Sequence, residues 1–430
     1  MSSEGAGAMS EESSEKSVLM PRRRFPEFRE AEGWKLEPLS SLVKRCTAKN
    51  TEGGHTRVLT NSAEFGVVDQ RDYFDKDIAN QGNLEGYYIV EKGDYVYNPR
   101  ISTSAPVGPI SRNNVGTGVM SPLYTVFRFG NSNNDFYAHY FKSTHWHHYM
   151  RQASSTGARH DRMSITNDDF MGLPLPVSTP KEQQKIADCL SSLDELITTE
   201  TQKLDALKTH KKGLMQKLFP REGETVPQLR FPEFKNAREW DVRTIGNMFR
   251  LINGCAFKPE DWRSTGTPII RIQNLNNPSA EFNYSQAPVP ERNRVEPGDL
   301  LFAWSGTLGS SFGARVWNGP PGVLNQHIFK VQMDEQQITL PFSLLVLARV
   351  EEDIAKKSHG FKASFVHVKK SDLVKVVLLV PSVPEQKRIA SCLSSVGALI
   401  TLETQKLEAL KTHKKGLMQQ LFPVLDKVPA

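Results

Sequence analysis

No run of apolar residues approaches the ~18 needed to cross a bilayer. The first twenty residues, rich in Ser and Glu, lack the apolar core of a secretory leader and read as a disordered tail. Cysteine is scarce. Cys46, Cys189, Cys255 and Cys392 stand apart without CxxC spacing, which excludes a disulfide framework and points to a reducing cytoplasm. There is no GxxxxGK[ST] loop for a nucleotide phosphate and no NPPY-type or DPPY-type tetrapeptide of a base-methylating site. The glycine-rich stretch Ser305–Gly309 is not GxGxxG and reads as a flexible recognition loop. His145–Trp146–His147–His148 has no matching ligand set, so these histidines are assigned to an exposed aromatic segment and no metal is expected. Excess charge is small as well: 54 basic against 48 acidic residues leave +6, which permits nucleic acid as a partner without demanding it. With no catalytic constellation in view, a binding protein is expected.

What is present is repetition. Thr201–Pro220 and Thr404–Pro423 agree at 18 of 20 positions, and the twenty residues before each agree at 12 of 20. RFPEF at Arg24–Phe28 returns at Arg230–Phe234, and a tryptophan follows each by six residues, Trp34 and Trp240. The offsets, 206 and 203, are far beyond the ~20–50 residue period of a solenoid. The 430-residue chain therefore reads as two copies of one plan, with a pseudo-two-fold axis.

Each copy ends in a long helix. Apolar residues at Ile186, Leu190, Leu193, Ile197, Leu204, Leu207, Leu214 and Leu218 continue in 4–3 spacing when Glu200 and Lys211 fill the gaps. The second copy matches from Ile389 through Glu403 and Lys414 to Leu421. About 36 residues at ~1.5 Å each make a rod of roughly 54 Å. Pro180 and Pro384 suit the first turn, and Pro220 and Pro423 act as stops. Gly213 and Gly416 weaken each helix by roughly 1 kcal/mol relative to alanine, so packing is expected to hold that turn. An antiparallel pairing would set Glu200 against Lys414 and Lys211 against Glu403, two ion pairs in one register. The alternative is that these residues lie where the seam frays into solvent.

Residues 35–175 and 241–380 share a skeleton but little identity. Val90–Asp94 matches Val295–Asp299, Gly118–Met120 matches Gly322–Leu324, and Gly157 and Arg159 match Gly360 and Lys362. Short alternating runs broken by Gly, Pro, Asn and Ser predict strand-rich mixed domains. Polar loops carry side chains suited to base edges and phosphates: Arg100, Ser102, Arg112, Asn113, Asn114 and Arg159 in the first domain; Arg271, Gln273, Asn274, Ser305, Thr307, Arg315 and Lys362 in the second.

The tandem plan, the proline–EQ–IA–L signature (Glu182–Gln183, Ile186–Ala187, Leu190; Glu385–Gln386, Ile389–Ala390, Leu393), Gly298–Gly309 and Leu324–Val331 together resemble the specificity subunit of type I restriction–modification enzymes. The first domain departs from the pattern, with Met120–Ser121–Pro122–Leu123 in place of Leu324–Asn325–Gln326–His327. The resemblance implies an α/β (α+β) protein: two pseudo-symmetric mixed target-recognition domains joined by two long antiparallel coiled-coil helices. Its boundaries are a tail at 1–23, target-recognition domain 1 at 24–178, helix 1 at 179–220, a linker and domain 2 at 221–380, helix 2 at 381–423 and a tail at 424–430. It further implies that each domain reads half of a bipartite, asymmetric double-stranded DNA target and that the helices set the spacer. Two modification subunits, which bind S-adenosylmethionine and methylate adenine, and restriction subunits using ATP and Mg would be the partners. No cofactor and no membrane would be bound by this cytoplasmic chain. A stand-alone bipartite DNA-binding regulator, and a coiled-coil scaffold binding proteins or sugars, are the competing readings.

Overall fold

Alternating large side chains set the frame of each half. The computed structural model describes residues 19–73, 84–130, 135–154, 161–358 and 365–425. The chain forms two compact units, Met1–Thr201 with Gln405–Ala430, and Gln202–Thr404. Each unit therefore owns one domain, the N-terminal half of one long helix and the C-terminal half of the other.

In the first unit an antiparallel sheet runs in the order Val43–Arg45, Thr125–Phe129, Tyr95–Tyr97, Ile110–Arg112. Successive residues of a strand point to opposite faces, and both faces are covered. Tyr95, Tyr97, Phe127 and Phe129 join the larger core with Phe136, Tyr140 and Trp146, while Val96 and Val126 join a smaller one with Leu59, Val90 and Met120. The second unit repeats the order as Phe249–Asn253, Ile328–Met333, Leu300–Ala303, Gly313–Val316. Leu300 and Phe302 enter its larger core, and Leu301 and Ala303 its smaller one.

The repeated glycine–aspartate turns are the same device twice. Gly93 and Gly298 adopt φ of 98° and 97°, a region that favours glycine. The aspartate that follows accepts a hydrogen bond from the backbone three residues earlier, Glu91 N at 2.8 Å to Asp94 and Glu296 N at 2.7 Å to Asp299. Each also pairs with a cation on the neighbouring strand, Arg128 at 2.6 Å and Lys330 at 2.7 Å. Gly118–Met120 and Gly322–Leu324 are both strands, the first antiparallel to Tyr88–Val90 and the second to Arg294–Val295. A further two-stranded pair closes each domain onto its helix, Lys35–Pro38 with Pro174–Val177 and Asp241–Thr244 with Val377–Val380.

The decoration differs. Two short helices, Asp135–Tyr140 and His147–Ala153, stand in the first unit, and one long helix, Leu340–Ser358, stands in the second. The stretch read as a loose glycine-rich loop is instead a strand, Ser305–Thr307, paired antiparallel with Phe365–His367.

The long helices span Pro180–Leu218 and Val383–Leu421, 39 residues each, so each is roughly 58 Å long. Every seam position named from the sequence is buried or half-buried. In the first unit Ile186 and Leu190 share a core with Met418, Leu421 and Phe422; in the second Ile389 and Leu393 share one with Leu218 and Phe219. The Leu-Phe-Pro ending thus plugs a phenylalanine into a domain core: Phe422 packs on Phe136 and Tyr140, and Phe219 stacks on Phe342 at 5.6 Å.

Two expectations need correction. The helix halves within each unit run antiparallel, but in another register. Glu200 pairs with Lys406, Lys414 with Asp194, and Glu403 with Lys203 at 2.7 Å, while Lys211 lies beside Gly397. Glu200 therefore faces a point eight residues before Lys414, and the pairs Glu200–Lys414 and Lys211–Glu403 are not made. Packing holds the turns of Gly213 and Gly416, as expected: Leu214 and Met215 lie against the second unit's core and Leu417 and Met418 in or against the first's, while nothing lies within 4 Å of a Cβ added at either glycine. The first domain also begins before residue 24: Leu19 is buried, and its carbonyl accepts a 2.8 Å bond from Trp34 N.

Candidate functional site

The echoed RFPEF and tryptophan are explained by one buried acid in each unit. Glu182 lies in the first turn of its helix, where its amide donates to Thr179 Oγ1 at 3.3 Å. Its carboxylate is wholly buried and is gripped bidentately by Arg24, Nε to Oε1 at 2.6 Å and Nη2 to Oε2 at 2.7 Å. The Trp34 indole donates to the same carboxylate at 3.2 Å. Arg24 also donates to the Ala31 and Glu32 carbonyls at 2.8 and 2.9 Å. The second unit builds the same clamp from Arg230, Glu385 and Trp240, with both Arg230–Glu385 bonds at 2.8 Å and the indole at 3.4 Å. In each pair the hydrogen-bonded carboxylate raises the arginine above its usual range against the opposing effect of desolvation. The clamp ties the strap before each domain to the start of its helix, which fixes how that domain leaves the rod.

In the second unit the topology gathers polar groups at one sheet edge. Thr267–Ile270 and Gly322–Leu324 run parallel, so both chains leave at the same end, one into Arg271 and the other into Asn325–Gln326–His327. Asn325 N donates to Ile270 O at 3.0 Å and holds the two exits together. The Arg271 guanidinium lies 4.8 Å over the Trp262 ring and donates to Asn283 Oδ1 at 2.9 Å. Trp304 donates to Gln326 O at 3.2 Å and packs against His327, Phe329 and His367. Gln326 Oε1, His327 Nδ1 and Trp262 Nε1 are buried without a hydrogen-bond partner. Arg271 was legible as a candidate in the sequence, whereas Trp262, Trp304, Gln326, His327 and His367 were not. The strings Gly298–Gly309 and Leu324–Val331 were the signal, since Trp304 and the Gln326–His327 pair sit inside them.

The other candidates divide. Arg100 and Asn114 are exposed, and Gln273 is exposed while donating to Glu281 O at 3.3 Å. Ser102 is exposed and caps a turn by accepting Ala105 N at 3.1 Å. Arg112 is half-buried and paired with Asp135. Thr307 is half-buried, its amide donating to Ser311 Oγ at 2.8 Å, and Arg315 donates to the Ser310 and Ser311 carbonyls while burial lowers its pKa. Three expectations are corrected. Asn113 and Asn274 are fully buried, and both amide ends hold their own loops: Asn113 donates to Glu91 O at 2.9 Å and Gly116 O at 2.8 Å, and Asn274 accepts Arg271 N at 3.0 Å. Ser305 is buried inside its strand. Arg159 and Lys362 lie outside the described residues. The histidine segment is corrected too, because Trp146 is fully buried and donates to Phe141 O at 3.1 Å. Among the described residues no group of three or more His, Cys, Asp or Glu could hold a metal, and no helix is long and apolar enough to cross a membrane.

The sequence profile of the family described as "Type I restriction modification DNA specificity domain" matches residues 62–209 and 237–412. The chain belongs to that family. Each segment matched by the specificity-domain profile covers most of one domain and most of one long helix, so the profile follows the same twofold plan. The MjaVIII specificity subunit of a type I restriction enzyme from Methanocaldococcus jannaschii is 24% identical over 290 residues, which cover 63% of this chain and 65% of that protein. The EcoBI specificity subunit from Escherichia coli is 27% identical over 185 residues, 43% of this chain and 38% of its own. The chain thus spans less than two thirds of the length of these curated relatives. Among solved structures, a type I restriction–modification S subunit from M. genitalium is 15% identical with a TM-score of 0.56, covering 94% of this chain and 99% of that one. A chain from a structure described as bearing on complex assembly and conformational transition of the type I R-M system is 16% identical with a TM-score of 0.55, covering 91% of this chain and 98% of that one. These two share the fold of this specificity-family chain.

Proposed function

We propose that the chain is the sequence-specific DNA-recognition subunit of a type I restriction–modification complex. The observation that carries the reading is one sheet frame built twice, with the same clamp and turns, under unlike edges and loops. Two unlike modules on one frame suit a bipartite, asymmetric target. Long helices suit a fixed spacing between half-sites, which must follow the helical repeat of DNA. In this reading the chain carries no catalytic residue. Two modification subunits hold S-adenosylmethionine and methylate adenine, and restriction subunits use ATP and Mg for translocation and cleavage. A formal charge of +6 suits a subunit that shares its phosphate contacts with partners. Family membership supports this reading over the stand-alone regulator. Replacing residues 241–380 by the equivalent domain of another family member tests it: one half of the methylated motif should change and the other remain. Alteration of both halves would overturn the assignment.

A further inference from the structure

A pocket of about 370 Å³ opens in the first unit between the loop after the helix Asp135–Tyr140 and the two long-helix halves of that unit. Lys142, Lys411, Lys414 and Lys415 all line it, and Asp194 is the one acid in its wall. That acid is already shared. Lys414 is hydrogen-bonded to Asp194 Oδ1, Lys142 lies 3.6 Å from Oδ2, and the His139 ring lies 3.8 Å from it. Lys411 takes a second acid, Glu408, at 2.9 Å along its own helix. Four ammonium groups against one wall carboxylate leave a local excess of positive charge in a concave surface, and such clefts concentrate anions.

Lys414 makes the arrangement more than a solvated charged face. Only 8% of the residue is exposed, and burial lowers its pKa even with Asp194 hydrogen-bonded to it. A second anion in the pocket would relieve that strain on the charged form. Ser143, Thr144 and Gln419 add neutral hydrogen-bonding groups to the lining. The second unit keeps the three helix lysines as Lys208, Lys211 and Lys212 but lacks the acid at the repeat-equivalent place. Gly397 stands where Asp194 stands, and Lys211 fills the space a side chain there would need, its ammonium 3.3 Å from an added Cβ. A volume of this size matches small-molecule sites, and clustered lysines without arginine suit phosphate as a point charge more than a bidentate carboxylate.

We propose that this pocket binds a phosphate group, on a phosphate ester or on the DNA backbone. The test uses the full chain and inorganic phosphate as the probe, titrated at constant ionic strength against chloride. Phosphate should bind saturably and raise the thermal midpoint. The double substitution Lys142→Gln/Lys415→Gln changes two exposed side chains and should weaken phosphate binding about tenfold or more. Lys212→Gln, the repeat counterpart of Lys415, should leave it unchanged. Phosphate that behaves like chloride, or binds the double variant as tightly as the parent, would overturn the proposal. Binding of a non-specific duplex then separates the two sources. A salt slope reduced by about 1 in the double variant assigns the pocket to a backbone phosphate, and an unchanged slope assigns it to a free phosphate ester.

Discussion

Replacing Arg24 by methionine should unfold the first unit more easily than any surface change, because Glu182 would lose its cation in a site with no exposure. The clamp supplies two arginine bonds to that carboxylate at 2.6 and 2.7 Å, and what remains is the neutral Trp34 indole at 3.2 Å. Removing one partner of a buried ion pair costs about 3–5 kcal/mol. With a urea m-value near 3 kcal/mol/M, that is a midpoint lowered by about 1–1.7 M. The double change Arg24→Met/Glu182→Leu removes the orphaned charge along with its partner and should recover most of the loss, since apolar replacement of a buried pair is often neutral. Urea unfolding followed by tryptophan fluorescence reads both, and a double-mutant cycle isolates the coupling. Arg230 and Glu385 should behave alike in the second unit. A single-mutant shift under about 0.3 M, or a double mutant as unstable as the sum of its singles, would refute the reasoning.

Gly213→Ala and Gly416→Ala should each stabilise by about 0.5–1 kcal/mol, read as a raised thermal midpoint, because both sit in helix interiors with nothing within 4 Å of the new methyl. His139 titrates near 4 rather than 6.5, chiefly through burial, with Lys142 and Lys414 lowering it further against Asp194 and Asp135. The unfolded chain takes up that proton first, so His139 should remove up to roughly 3 kcal/mol of stability as pH falls from 6.5 to 4. His139→Gln should flatten that part of the pH–stability profile, with His147 retaining a slope of the same sign. A double-mutant cycle on Glu200→Gln and Lys406→Gln, read by urea unfolding, should show a coupling of a few tenths of a kcal/mol, and one on Glu200→Gln and Lys414→Gln should show none. The reverse would restore the register that the sequence pattern suggested.

The helices were legible because burial follows the 4–3 pattern at Ile186, Leu190, Leu204, Leu407 and Leu421. Their register was not. A heptad pattern matches itself when shifted by a turn or two, so apolar residues cannot choose, and the ion pairs that form use Asp194, Lys203 and Lys406 from outside the seam. The sheet frame was legible in the matched glycine–aspartate turns. The clamp was half-legible: the arginine, the tryptophan and the glutamate all echoed, but Glu182 lies 158 residues from Arg24, a pairing only the folded topology can make. Asn113 and Asn274 misled because short polar side chains that hold their own loops have the same local sequence as those that face a ligand. Gln326 and His327 were missed because they leave the sheet at the same end as Arg271 only by virtue of two strands running parallel.

The most direct measurement is methylome sequencing of cells expressing this chain with the modification subunit that the proposed function calls for. The account predicts adenine methylation at one asymmetric motif of two unlike halves separated by an unread spacer of constant length. A contiguous motif, a palindrome, or no methylation dependent on this chain would contradict it.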